Sequence, residues 1–210
     1  MFPLGTALLP SAELPLRIFE PRYRQMLSDH VDTSADPPTA SFGVVLIARG
    51  VEVGGGDVRC DVGAMAHAEI TDRFPDGRAD LTCTGTYRFR IVEWLPDDPY
   101  PRARVQRLPE QTPTPADLAR LDAMNQRLYS LMRQKFEFEG QDPEPVIAAL
   151  AIMDADPAIA GISPIHRFAG RVTSQPHDQQ RLLEADAPAG QLDVLDDVLD
   201  GMEARLHFGR

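Results

Sequence analysis

The first half of the chain alternates hydrophobic and polar residues with the two-residue period of β-strands. The run LPLRI at residues 14–18 alternates in this way. The run SFGVVLIA at residues 41–48 is apolar and β-branched, as in strands buried within a sheet. The other predicted strands are Gly63–Thr71, Ala79–Gly85, Thr86–Trp94 and Pro101–Leu108. An Asp-Gly step within Pro75–Arg78 predicts a hairpin turn before residue 79, because glycine readily adopts positive φ.

One helix is predicted inside this strand-rich half, beginning at Pro21. Proline suits the first helical position, where its missing N–H costs nothing. At spacings of three and four, one face collects Tyr23, Met26, Leu27 and His30. The segment DTSADPPT at residues 32–39 then predicts a loop that ends the helix.

The second half of the chain changes to helical periodicity. Thr114 and Asp117 resemble a capping box around Pro115, and an apolar stripe follows. The stripe consists of Leu118, Leu121, Met124, Leu128, Leu131 and Met132. Further helices are predicted at Pro143–Met153, Pro164–Thr173, Asp178–Ala185 and Pro188–His207. The last has a seam of fewer than three heptads, which is typical of packing within one bundle rather than of a coiled coil.

These elements predict an α+β protein in two segregated parts. We expect a β-rich domain over residues 1–110 and a helical domain over residues 111–210, joined by the proline-rich segment PEQTPTP at residues 109–115.

Composition and charge narrow the classes of partner. The 210 residues carry a formal net charge of −11, with a pI of about 4.8, which disfavours bulk attraction to nucleic acid or to an anionic membrane. Cys60 and Cys83 lack CxxC spacing, so a reducing compartment is the simplest setting. No signal-peptide pattern or membrane-length apolar run occurs. We therefore expect a soluble, cytoplasmic protein.

Motifs for catalysis, metals and cofactors are absent from the sequence. The glycine-rich segment Glu52–Val58 lacks the lysine of a phosphate-binding loop and is interpreted as a surface loop. The five histidines are scattered singly, without metal-ligand spacing. No GxSxG motif occurs, and Ser130 and Lys135 lie five positions apart, which places them poorly for a dyad. The expectation is a protein without catalytic residues, metal ligands or cofactors.

Arginines alternate along two consecutive predicted strands. Arg88 and Arg90 point away from Tyr87, Phe89 and Ile91, while Arg102 and Arg104 share a face of the next strand. If these strands pair antiparallel, the four arginines form a positive stripe suited to carboxylates, a peptide C-terminus or phosphates. The alternative is a solvated face with salt bridges to Asp80 or Glu93.

The joint between the strand at residues 14–18 and the helix at Pro21 carries a family likeness. The segment FPLGTALLPSAELPLRIFEPRYRQML is followed in order by FGVVLI, EVGGG, VGAMAHA, PDGRADL and GTYRFRIVEWLPDDPYPRARV. These pieces resemble the N-terminal domain of the ATP-dependent protease Lon in its stand-alone bacterial form. DQQRLLEA at residues 178–185 resembles the family's helical continuation. The most specific pieces are IFEPRYR and the Gly85–Ile91 segment GTYRFRI.

The resemblance implies a β-rich, PUA-like pseudobarrel around one helix, followed by a C-terminal helical bundle. In the full-length protease this region is associated with substrate recognition, while ATP hydrolysis and the serine-lysine peptidase belong to downstream domains. Neither a nucleotide-binding motif for ATP hydrolysis nor a candidate serine-lysine pair occurs in these 210 residues. We therefore expect no enzyme activity. Ala64 replaces the family's threonine, and the start at Met1 predicts a short or frayed first strand.

The resulting expectation is a non-catalytic module that binds partner proteins or unfolded peptide segments, in association with a protease or chaperone system. Grooves of the β-domain or the cleft between the two halves would provide the surface. The candidate contacts are Phe19, Tyr23, Arg88, Arg90, Arg102 and Arg104. Glu20, Pro21 and Arg22 are expected to fix the strand-to-helix joint, by capping or an ion pair. The alternatives are PUA-like RNA binding, which the net charge opposes, and small-molecule binding. The oligomeric state stays open.

Overall fold

The computed structural model describes residues 1–50, 56–154, 163–173 and 175–208. Residues 52–55 of the glycine-rich segment lie outside the described residues. The chain divides into two compact units. The strand unit comprises Met1–Glu110 with Ser174–Glu184, and the helical unit comprises Gln111–Thr173 with Ala185–Arg210.

The strand unit is built on one mixed, curled sheet that forms a half-barrel. Its strands are β1 (Phe2–Leu4), β2 (Glu13–Ile18), β3 (Val31–Asp32), β4 (Thr39–Arg49), β5 (Val58–Arg73), β6 (Ala79–Leu95) and β7 (Arg102–Arg107). The order is β1-β4-β5-β6-β2, with β3 on β4 and β7 on β6. Only the β1–β4 pair is parallel among the described strand pairs. The expected α+β class is confirmed, and β1 is short, as expected.

The predicted hairpin turn between β5 and β6 is confirmed, with Gly77 at φ 85°. The two strands predicted at residues 79–94 are instead one continuous strand, β6. Its pairing with β5 shifts register between Ala64 and Ala66, next to Gly85. Gly85 thus lies at an irregularity within a strand rather than at a turn.

Helix α1 (Pro21–His30) covers one face of this sheet and completes the main core. Tyr23, Met26 and Leu27 are buried as predicted, whereas His30 is exposed near the ring of Tyr100. Around α1 the core includes the buried side chains of Phe2, Leu8, Ile18, Phe42, Leu81 and Tyr100. A smaller cluster gathers around Val45, Phe89 and Ile91.

The helical unit contains α2 (Pro115–Phe138), α3 (Glu144–Asp154), α4 (Pro164–Val172) and the last helix, α6 (Pro188–Phe208). The predicted capping box at Thr114 and Asp117 is confirmed. The apolar face of α6 packs against α2 and α4, and Leu192, Leu195 and Leu199 are fully buried. Arg120 bridges to Asp193, and Arg127 bridges to Asp200, seven residues further along each helix. The short apolar seam of α6 therefore packs against other helices of the helical unit.

Helix α5 (Pro176–Glu184) lies in the strand unit and packs against β5. The Gln180 side-chain amide donates to the Val62 carbonyl at 3.1 Å. Leu182 and Leu183 are buried. These contacts attach a segment from late in the chain to the sheet.

Candidate functional site

The two ends of the strand order, β1 and β2, border an open groove. The groove has a volume of about 170 Å³ and is also lined by the start of α1. Its residues are Phe2, Pro3, Leu4, Pro15, Leu16, Arg17, Phe19, Glu20 and Tyr23. We call this set the seam groove. Two of the sequence-predicted candidates, Phe19 and Tyr23, lie in it.

A proline lies in each of the two strands that border the seam groove. Pro3 lies in β1 and Pro15 in β2, and proline has no N–H to donate to a neighbouring strand. Each of these strands pairs with the rest of the sheet through one edge only, as far as the described residues extend. The strand order thus ends at β1 and β2, which leaves strand edges beside the groove.

Phe19 is the exposed aromatic side chain of the seam groove. It lies between the end of β2 and the N-cap of α1, and 52% of its surface is exposed. An aromatic ring exposed next to strand edges gains contact area only when another molecule covers it. Phe19 is thus placed to contact a ligand.

Tyr23 forms the floor of the groove and has only 3% of its surface exposed. Its ring centroid lies 4.2 Å from that of Phe2. The guanidinium of Arg22 lies over the same ring at 4.6 Å. Burial raises the pKa of Tyr23 to about 12, so its hydroxyl stays protonated at neutral pH. Tyr23 supports the site from below and does not project from it.

The strand-to-helix joint is held by backbone contacts and one ion pair. Glu20 is the N-cap residue with extended backbone, and its carbonyl accepts from the N–H groups of Tyr23 and Arg24. The Glu20 side chain makes no capping hydrogen bond; its carboxylate accepts from Arg22 Nε at 3.1 Å. Pro21 occupies the first helical turn. The joint thereby fixes Phe19 between β2 and α1.

The arginine candidates are not equivalent in the structure. Strands β6 and β7 do pair antiparallel, with a register shift between Ile91 and Glu93. Arg88 is 2% exposed, donates to the carbonyl of Leu183 at 2.8 Å and forms an ion pair with Glu110 at 3.3 Å. Because it is buried beneath α5, Arg88 is a structural residue in the described fold.

The remaining three arginines are exposed. Arg104 lies opposite Glu93 and forms an ion pair with it at 3.2 Å. Arg102 donates to the Pro96 carbonyl at 3.4 Å, and Arg90 lies opposite Gln106. The structure thus separates Arg88 from these three and places none of the four in the seam groove.

The described residues offer little for covalent or metal chemistry. No group of three or more histidine, cysteine or acidic side chains in them is arranged to hold a metal ion. Burial raises the pKa of the Cys83 thiol to about 12, and burial with nearby acidic groups raises that of Cys60. Both thiols therefore stay protonated near neutral pH, which makes them poor nucleophiles.

Within the described ranges, no helix combines the length and the apolar character needed to cross a bilayer.

Comparison with known proteins supplies the family. The model of the ATP-dependent protease La (LON) substrate-binding domain matches residues 1–200. Over 105 residues the chain is 32% identical to Lon protease 2 of Herpetosiphon aurantiacus. That alignment covers 49% of this chain but only 12% of the relative, so the chain matches a small part of that protein.

Two solved structures share the fold. The Lon N-terminal domain protein from Xanthomonas campestris superposes with a TM-score of 0.58 at 23% identity, covering 92% of this chain and 94% of that one. The N-terminal domain of Mycobacterium avium complex Lon protease gives 0.59 at 16% identity, covering 93% and 94%. Because the family model extends over nearly the whole chain, the protein belongs to the ATP-dependent protease La (LON) substrate-binding domain family.

Proposed function

We propose that this protein is a non-catalytic recognition module that binds exposed, extended peptide segments of other proteins in the seam groove. The observation that carries the proposal is the exposed ring of Phe19 beside two strand edges that end the sheet. Membership of a substrate-binding domain family supports it. The clients are unfolded or partly unfolded proteins, and a protease or chaperone system would consume or refold them.

The backbone geometry favours an extended ligand. A strand at the end of a sheet can accept a further strand through main-chain hydrogen bonds, which are independent of the ligand's sequence. The prolines limit the number of these bonds, so side-chain contacts have to supply much of the affinity. A groove with these properties binds many apolar sequences weakly rather than one sequence tightly.

The side chains of the groove match such a ligand. Phe2, Leu16 and Phe19 provide apolar surface, and the charged groups at the rim are already paired. Arg17 forms an ion pair with Asp80 at 2.8 Å, and Arg22 forms one with Glu20. The groove therefore selects for apolar ligand side chains and not for ligand charge, which suits the recognition of unfolded segments.

RNA binding has less support from the same structure. That alternative depended on a stripe of four arginines, but Arg88 is buried and Arg104 is paired with Glu93. The net charge of −11 adds repulsion from phosphates. These observations favour peptide recognition over RNA binding.

Replacing Phe19 with alanine is expected to weaken peptide binding about tenfold, which corresponds to about 1.4 kcal/mol. The probe is a short fluorescein-labelled peptide of alternating valine and serine, and the measurement is fluorescence anisotropy. A second peptide with threonine in place of valine keeps the shape but replaces one methyl group of each valine by a hydroxyl, which removes part of the apolar surface. It should bind weakly to both proteins.

Phe138→Ala is the matched control, because Phe138 is 64% exposed and lies in the helical unit. It should leave the affinity unchanged. Equal affinity of the wild type and the Phe19 variant, or equal binding of the two peptides, would refute the seam groove as the binding site.

A further inference from the structure

A second pocket lies on the strand unit, between α1 and the β5–β6 hairpin, with a volume of about 210 Å³. Its polar residues are Arg24, Ser28, Arg73 and Arg78, and Leu27 and Phe74 provide apolar surface. We call this set the arginine pocket. It shares no residue with the seam groove or with the sequence-predicted candidates.

One of the three arginines is held by the hairpin itself. Arg78 Nε donates to Asp76 at 2.7 Å, and the Arg78 backbone N–H donates to the same carboxylate at 3.1 Å. Its guanidinium also lies over the ring of Phe74 at 5.3 Å. Asp76 therefore neutralises Arg78 and fixes its position.

The other two guanidinium groups are less fully compensated than Arg78, because Arg24 shares the carboxylate of Asp76 with it. Arg24 Nη1 donates to the Asp76 backbone carbonyl, a neutral acceptor. Arg24 Nε is buried and has no hydrogen-bond partner among the described residues. Arg73 is exposed and forms no ion pair within the described residues. Three arginines beside the one carboxylate of Asp76 leave the described pocket positively charged, in a protein of net charge −11.

The pocket's shape and chemistry suit one particular anion. Guanidinium groups bind carboxylates through parallel, charge-assisted hydrogen bonds. A bare inorganic anion would leave Leu27 and Phe74 without contact. A ligand with both a carboxylate and an apolar side chain would contact the arginines and these two apolar residues. The pocket volume of about 210 Å³ is smaller than that of pockets that bind drug-sized ligands, so it has room for about one amino-acid residue.

We propose that the arginine pocket binds the C-terminal residue of a peptide. Its α-carboxylate pairs with Arg24 and Arg73, and its side chain lies against Leu27 and Phe74. The inference rests on the proposed peptide-binding function and adds a preference for free C-termini.

The test compares two labelled valine-serine peptides that both end in leucine, one with a free carboxylate and one with a C-terminal amide. The free acid should bind the wild type at least about tenfold more tightly. Arg73→Gln should remove most of this preference while leaving the amide's affinity unchanged, because Arg73 is exposed and its replacement spares the fold. Arg104→Gln is the control, since it removes an exposed arginine elsewhere in the unit.

The outcomes separate the two proposals. Equal binding of acid and amide overturns the arginine pocket but leaves the seam groove intact. Failure of both peptides to bind overturns both proposals. Displacement of the acid peptide by inorganic phosphate as readily as by unlabelled peptide assigns the pocket to a bare anion and overturns the inference. Phe19→Ala should weaken both peptides and preserve their ratio.

Discussion

Replacing Arg88 with methionine is expected to lower the free energy of unfolding of the strand unit by about 3 kcal/mol. The Arg88 guanidinium donates to the carbonyls of Leu183 and Pro109, and pairs with Glu110. Methionine fills much of the same space but donates nothing. The carbonyl of Leu183 would then lose a buried donor, and α5 would lose its charged attachment to β6.

Urea denaturation followed by the fluorescence of Trp94 measures this effect, because Trp94 is the single tryptophan and lies in β6. Arg104→Met is the control; Arg104 is exposed and its ion pair with Glu93 contributes little, so the change should stay below about 0.5 kcal/mol. If the two variants unfold at the same urea concentration, the structural role assigned to Arg88 is wrong.

Gly85→Ala is expected to cost about 3 kcal/mol or to prevent folding of the strand unit. A Cβ atom at Gly85 would overlap the carbonyl oxygen of Leu9, which is backbone and cannot rotate away. The segment it approaches is tied to Gly85 from both sides. The Ser11 N–H donates to the Gly85 carbonyl at 2.7 Å, and the Gly85 N–H donates to the Ala12 carbonyl at 3.0 Å.

The same loop leads directly into β2, so strain at Gly85 reaches a wall of the seam groove. Thermal and urea unfolding measured by circular dichroism should show the loss. Gly201→Ala serves as the comparison, because it lies within α6 and, among the described residues, its Cβ would meet only the Arg205 side chain, at 3.5 Å. Alanine there should stabilise by about 0.5 to 1 kcal/mol. A stable, wild-type-like Gly85 variant would contradict the close approach.

The elements that the sequence predicted well are those fixed by local chemistry. Pro21 begins α1, the Asp-Gly turn joins β5 to β6, and Thr114 with Asp117 caps α2. Each of these depends on residues within a few positions of one another. The predicted division of β6 into two strands was wrong. A register shift next to a glycine resembles the end of a strand when the partner strand is not known.

Features that depend on distant segments could not be predicted from the pattern. Alternation placed Arg88 on a strand face, but α5, about a hundred residues later, decides that this face is buried. The amphipathic pattern of α5 shows that it buries one face without showing what covers it. In the same way, Arg24 and Arg73 are 49 positions apart in sequence, and only the fold brings them to one pocket.

Phe19 and Tyr23 could be singled out from the sequence because the joint between β2 and α1 is itself a local motif. Their roles differ for a reason that the sequence does not contain. Tyr23 lies on the helix face that meets the sheet, while Phe19 falls in the short connection, where no neighbouring element covers it. The groove exists because the sheet ends at β1 and β2, and that depends on the parallel pairing of β1 with β4.

The most direct test of the central claim is to map the peptide on the protein by nuclear magnetic resonance. The uniformly ¹⁵N-labelled protein is titrated with the unlabelled valine-serine peptide, and shifts of the backbone amides are recorded. Binding in the seam groove predicts the largest shifts in β1, in β2 and at residues 19–23. Shifts confined to β7, or to α2 and α6 in the helical unit, would contradict it.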